Sequence, residues 1–176
     1  MEGRLAESLE SFDIAIVNDG EAVEPRLNRA IVLIRMGEFA DAGAELEAAW
    51  KFEGTSPLLR SRIAYHRALA ADREGKLEMA SEWLDRARSA DPDAPDPILY
   101  SGVVLERRQK FEEAGKHYKR YLELHPESLV AMLRFGISAH RAGYRDLARR
   151  YLREVSARSP SGLEGLEARK FLIMWD

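Results

Sequence analysis

Apolar and small residues recur along this chain at steps of four and three, and the block that carries them recurs too. The clearest instance is 109–126, QKFEEAGKHYKRYLELHP, where Ala114, Tyr118 and Tyr121 fall on one face of a helix and Pro126 ends it. The same steps return at Ala42, Leu46 and Ala49, at Ala80, Leu84 and Ala87, and at Ala148, Leu152 and Val155. Twelve positions before each leading alanine stands a small residue: Ala30, Ala68, Gly102 and Gly136. Five positions before it stand Gly37, Gly75, Gln109 and Gly143, which mark a turn. The pattern predicts four helical hairpins. Two helices approach to about 8–10 Å only where small side chains meet, and the i, i+4, i+7 residues of the second helix supply the apolar seam.

Prolines and caps set the expected boundaries. Pro92, Pro126 and Pro160 each follow the seam and should close a second helix, since proline lacks an amide donor. Ser56-Pro57 and Asp96-Pro97 read as N-cap and first-turn pairs, and Ser161 with Glu164 has capping-box spacing for a last helix. Before the first full unit, Gly3, Ser8, Phe12 and Ala15 repeat the offsets of a second helix alone. The chain thus reads as entered in mid-repeat, as a segment of a longer protein would be; a lone capping helix is the other reading. At the far end, 171–175 (FLIMW) is an apolar tail that folds back on the last unit, continues into further protein, or binds a partner.

These offsets resemble the tetratricopeptide (TPR) repeat, with its period of about 34 residues. From Ala80 to Ala114 and from Ala114 to Ala148 is 34 residues each, while Ala42 to Ala80 is 38. The four extra residues, close to one helical turn, are assigned to 48–56, lengthening the second helix there and its loop. Either they are a neutral insertion, or Trp50 and Phe52 form a protruding apolar contact. Several positions depart from the family pattern: Arg26 and Ala64 where Trp is favoured, Arg29 and Arg67 where Leu is, and Tyr121 where Ala is usual. The organisation expected is a half repeat (1–20), four repeats (23–56, 57–94, 95–128, 129–160) and a C-terminal helix (161–176). The fold class is all-α, an α-solenoid of antiparallel helix pairs, for which the family implies a right-handed superhelix.

The resemblance implies protein binding, with the first helices lining a concave groove. Carried over by motif position, the candidate groove residues are Leu27, Ile31 and Arg35, then Tyr65, Leu69 and Arg73. Leu99, Val103 and Arg107 follow, and then Leu133, Arg134, Ile137 and Arg141. The apolar pair in each unit makes a trough suited to an amphipathic helix or an extended apolar segment, unless these side chains are core. The four arginines at the helix ends would clamp acidic groups, or simply complement the helix macrodipole. A chaperone-type carboxylate clamp fits poorly: its positions hold Leu27, Ile31, His66, Val130 and Arg134, of which only Arg134 suits.

Charge adds one element. Residues 1–24 carry seven acids against Arg4, and 130–160 carry seven arginines against Asp146 and Glu154. This polarity steers an acidic partner to the last repeat, or favours weak head-to-tail self-association, or is a solvated face. With a net charge of −3 there is no basis for wholesale nucleic-acid binding. Zero cysteines exclude a disulfide framework, a thiolate nucleophile and a cysteine zinc site. Nothing in the sequence is apolar for long enough to span a membrane. The acidic start MEGRLAESLE is unlike a signal peptide, so a cytoplasmic location is the expectation; a leader removed upstream would leave no trace. No nucleotide-binding, metalloprotease or hydrolase motif is present, and His66, His117, His125 and His140 lack metal-ligand spacing. The reading is a non-enzymatic interaction scaffold without cofactor or metal. A chaperone for hydrophobic secreted proteins, or a head-to-tail structural segment, is the alternative.

Overall fold

The computed structural model describes residues 2–175, with side chains from residue 5 onward, so the Gly3 position of the half unit lies outside the described side chains. Among those residues are ten helices and no strand. They are α1 (Glu2–Asn18), α2 (Val23–Met36), α3 (Phe39–Trp50), α4 (Pro57–Arg73), α5 (Leu77–Ala90), α6 (Pro95–Arg107), α7 (Phe111–Leu124), α8 (Leu129–Arg141), α9 (Arg145–Arg158) and α10 (Leu163–Met174). The chain forms two units, Met1–Pro97 and Ile98–Asp176, and their boundary falls in the first turn of α6. No described helix is long and apolar enough to cross a membrane.

Each hairpin turn is made the same way. Gly37, Gly75 and Gly143 take φ of 88°, 78° and 94°, and Gln109 takes φ of 60° in the same left-handed region. The residue after each then donates its amide back five positions: Glu38 to Leu33, Lys76 to Ala71, Lys110 to Leu105 and Tyr144 to Ala139, at 2.8–2.9 Å. This closes the helix end by satisfying carbonyls that the helix leaves open. Gln109 makes that turn with a Cβ where its three sisters have none, at a steric cost. The second helices α5, α7 and α9 end two residues before Pro92, Pro126 and Pro160, as the missing amide of proline requires.

The caps agree with expectation in part. Ser56 Oγ accepts the Leu59 amide at 3.3 Å with Pro57 opening α4, and Ser128 Oγ accepts the Ala131 amide at 3.3 Å at the head of α8. Asp96 is not a cap, because α6 already begins at Pro95 and Asp96 lies in its first turn. Nor does Ser161 cap the last helix; Gly162 holds that position with no side-chain bond.

In the first unit, Ala30, Ala42, Leu46, Ala49 and Ile63 are fully buried, or nearly so, between α2, α3 and α4. The extra residues lengthen the loop 51–56, as the spacing suggested, but the added turn lies in α4 and not in α3. Helix α3 has 12 residues, fewer than the 14 of α5, whereas α4 has 17 against 13 in α6 and α8. Trp50 does not protrude either: its ring meets Trp83 edge-on at 5.4 Å, with Arg60 5.0 Å above it. The arginines that replace family leucines bond to the second helix instead. Arg29 donates to Glu45 Oε1 at 3.0 Å and to Asp13 Oδ1 at 2.7 Å. Arg67, buried, donates Nε and Nη2 to Glu47 Oε1 at 2.8 and 2.7 Å. Gly43 leaves the room: a Cβ there would lie 3.2 Å from Arg67 Cζ.

In the second unit the close approaches fall at Gly102 and Gly136. A Cβ on Gly102 would lie 2.4 Å from Tyr118 Cε1, so the tyrosine ring occupies the space that a side chain would need. A Cβ on Gly136 would lie 3.1 Å from Leu152 Cγ. The apolar tail divides in two. Phe171, Leu172 and Trp175 pack on Met132, Leu133, Leu152 and Val155, and Trp175 stacks on His140 with ring centres 3.5 Å apart. Ile173 and Met174 face outward.

Candidate functional site

In the first unit, α4 presents Leu58, Ser61, Arg62, Tyr65 and His66, one helical face, to a cleft of about 240 Å³. Asp91, Ala94, Pro95, Asp96 and Pro97 form the opposite wall. The prolines favour a non-helical approach and a fixed φ at the start of α6, which aims this segment back along α4. Tyr65 stands edge-on to His66 at 5.2 Å. Burial, then the charge of Asp96, pushes the Tyr65 phenol up to about 12. Burial, then Arg62 and Arg35, pushes His66 down to about 4, so the imidazole is neutral at pH 7. Ser61 Oγ is buried on this wall without a hydrogen-bond partner. The cleft therefore combines an apolar lining, one idle hydroxyl, a basic rim at Arg62 and an acidic rim at Asp91 and Asp96. It has the chemistry to take an apolar side chain between its two charged rims.

Of the residues expected in this unit, Tyr65 lies in the cleft. Leu27 does not line a groove; it is buried in the core with Ala30 and Leu46. Ile31 packs half-buried against that core, and Leu69 is half-buried. Arg35 and Arg73 are exposed in the last turns of α2 and α4. Leu58 and Ser61 escaped the sequence reading, although they sit at i−7 and i−4 from Tyr65 on the same helical face.

In the second unit a cleft of about 180 Å³ lies between α8 and α10, lined by Val130, Leu133, Arg134, Ile137, Leu163, Glu164 and Glu167. Leu133 is a buried floor residue belonging to the core, not a groove-facing anchor. Arg134 is held rather than offered: it donates to Glu106 Oε2 at 2.8 Å, and Ser138 Oγ donates to Glu106 Oε1 at 2.7 Å. Leu99 packs half-buried beside Tyr118, and Val103 is half-buried. Arg107 is exposed, and Arg141 lies 5.2 Å from the ring centre of Phe111. The Tyr118 phenol is pushed above the ordinary tyrosine range, by burial and then by the charge of Glu106. A larger apolar cleft of about 400 Å³ opens on the second-helix side, between Phe111, Gly115, Phe135, Ala139, Tyr144 and Leu147. The sequence pattern gave no warning of it beyond the glycine beside Ala114. Among the described residues, no group of three or more histidine, aspartate or glutamate side chains is placed to hold a metal ion.

Residues 27–95 match the family model of the tetratricopeptide repeat. The structure superposes on MamA with a TM-score of 0.78 at 19% identity, covering 90% of this chain and 85% of that one. It superposes on YrrB, described as a TPR protein with an unusual peptide-binding site, with a TM-score of 0.78 at 18% identity, over 96% and 84% of the two chains. A tetratricopeptide repeat protein from Parabacteroides merdae gives 0.83 at 19% identity, over 98% of this chain and 67% of that one. Residues 27–95 thus match the tetratricopeptide repeat in their sequence, and the chain has the all-α solenoid fold of tetratricopeptide-repeat structures.

Proposed function

We propose that this protein is an interaction scaffold whose first-helix faces bind a peptide or an amphipathic helix of a partner protein. The observation that carries the reading is the α4 cleft, where Tyr65 and the exposed Leu58 flank a buried hydroxyl with no partner of its own. The hydroxyl lies under the surface, and Leu58 and Tyr65 beside it offer the apolar area that a bound side chain would cover. Leu69 in the first unit is a further half-buried apolar position on a first helix, and Leu99, Val103 and Ile137 are such positions within the second unit, each set suited to side chains of a bound segment. Arg73, Arg107 and Arg141 would orient acidic groups of that segment. Arg134 would contribute only as part of its pair with Glu106. YrrB, similar in fold, carries a peptide-binding site by its own description, which supports the choice of ligand class.

Selection of a displayed random-peptide library on the wild-type protein tests this. Enriched peptides should bind in fluorescence anisotropy, and Tyr65→Ala should weaken them at least about tenfold, the loss of one buried aromatic anchor. Helical circular dichroism should stay unchanged. Failure to enrich any sequence, or full affinity in Tyr65→Ala, would remove this cleft as the site.

A further inference from the structure

The apolar cleft between α7, α8 and α9 has a counterpart in the first unit that the chain fills by itself. In register, Gly115 stands where α3 has Gly43, Lys119 where it has Glu47, and Phe135 where α4 has Arg67. In the first unit the Arg67 guanidinium lies over Gly43, its Cζ 3.2 Å from the place of a Cβ, and donates twice to Glu47 Oε1. That slot holds a cation from one helix and, on the other, the anion that fixes it. In the second unit the Phe135 ring comes only to ordinary contact with Gly115, 3.5 Å from the place of a Cβ, and meets Tyr151 edge-on at 4.8 Å. It makes an apolar floor and brings no charged head. About 400 Å³ stays open above it, with Phe111, Tyr144 and Leu147 among its walls.

The rim has changed sign. Lys119 replaces Glu47, and Lys116, about one turn back on the same edge, replaces Ala44. Both are exposed, and among the described residues neither is paired with a carboxylate, whereas nearby Lys110 is held by Glu113 at 3.1 Å. The Tyr144 ring on the far side is 51% exposed. Past Phe111 the cleft continues into a shallower polar groove of about 360 Å³ along Gln109, Lys110 and Glu113. The whole is longer than one side chain. Glu112 lies where the two parts meet, so the carboxylates of a guest belong toward Lys119.

We infer that this cleft takes an aromatic side chain of a partner protein, in a short acidic segment whose carboxylates pair with Lys116 and Lys119. The guest does for the second unit what Arg67 does for the first, with the charges exchanged: the anion comes with the guest and the cation waits on the host. Three rings (Phe111, Phe135 and Tyr144) line the cleft and favour an aromatic guest over an aliphatic one. Burial of that ring supplies most of the affinity, while the exposed ion pairs add little strength and select against basic segments. The polar groove carries the segment's backbone onward, which a small free carboxylate would leave empty. The site lies wholly within the second unit and does not depend on the reading of the α4 cleft.

Two-dimensional NMR of the isotope-labelled full chain tests it, with the end-blocked peptide Gly-Asp-Phe-Asp-Glu-Gly as probe. Amide shifts should saturate and centre on Gly115, Ala139, Ala142 and Leu147. Alanine in place of the probe's phenylalanine should weaken binding about tenfold, as should lysine in place of its acids. Lys116→Glu/Lys119→Glu alters only exposed side chains; it should weaken the acidic probe about tenfold and bind the basic one as wild type binds the acidic. Glu112→Lys should tighten the acidic probe about threefold by removing a like charge. Absence of saturable shifts in this cleft up to about 2 mM probe overturns the inference. So does equal affinity for the basic probe. Phenylacetate binding as tightly as the peptide would make this a small-anion site, and the same shifts appearing with protein concentration alone would make it a contact between copies; either result overturns the inference too.

Discussion

Placing a single methyl group at Gly102 tests the packing logic of the repeat most directly. On an isolated helix, glycine to alanine stabilises by about 0.5–1 kcal/mol, because alanine loses less backbone freedom. Here the new Cβ would lie 2.4 Å from Tyr118 Cε1, 2.6 Å from Cζ and 2.9 Å from Cδ1. Ordinary carbon contacts are about 3.5–4.0 Å, so the ring must retreat by about 1 Å or more. Tyr118 is fully buried and has no vacant side to retreat into. Overpacking of this kind costs about 1–3 kcal/mol, which outweighs the helix gain and leaves Gly102→Ala about 1–2 kcal/mol less stable. The first unit contains the remedy: Ala30 and Ala68 stand where Gly102 does, and Leu46 and Leu84 where Tyr118 does. Tyr118→Leu alone should cost about 1–3 kcal/mol for the void it opens. Gly102→Ala/Tyr118→Leu should be more stable than the sum of the singles by about 1–3 kcal/mol. Urea unfolding followed by circular dichroism gives all four corners of the cycle. The reasoning is refuted if Gly102→Ala matches or exceeds wild type, or if the two changes simply add.

Two further outcomes follow from the turns and from the cleft. Gln109→Gly should stabilise by about 0.5–1 kcal/mol, since φ of 60° strains a residue with a Cβ and suits glycine; a lower urea midpoint would contradict this. His66 should titrate near pH 4 in an NMR pH series, against 6.5 for a free histidine. Its folded pKa lies below its unfolded one, so the unfolded chain binds the extra proton. The stability that His66 contributes is complete above about pH 6.5 and falls as the pH drops toward 4. In His66→Gln that loss should flatten, and an unchanged acid slope would show that the imidazole is solvated and its pKa ordinary.

How much was legible beforehand differs by residue. The small residues, the turn positions and the closing prolines follow from local rules, and spacing alone places them. Even Gln109 could be placed, because its sisters name the conformation it must adopt. The same spacing could not decide which way Leu27 and Leu133 point. On a short first helix the positions facing a groove and those facing the second helix are one residue apart, so a rotation of about 100° exchanges them. Neighbours decided it, and both leucines went to the core. Arg134 shows the same limit. Its charge is visible in the sequence, but Glu106, 28 positions away, claims it only when α6 and α8 come together.

The sequence by itself determined the repeat: ten helices' worth of period, turn and seam. Those are properties of neighbours within a turn or two, where 3.6 residues per turn and the lack of a proline amide leave little choice. Only the tertiary structure decided what each surface can do. It put the extra turn into α4, tied Arg67 to Glu47, and left Ser61 buried and unpaired beside Tyr65. Each outcome depends on which side chains meet across helices, and hydrophobic burial rewards any partner of the right size rather than one position in the chain.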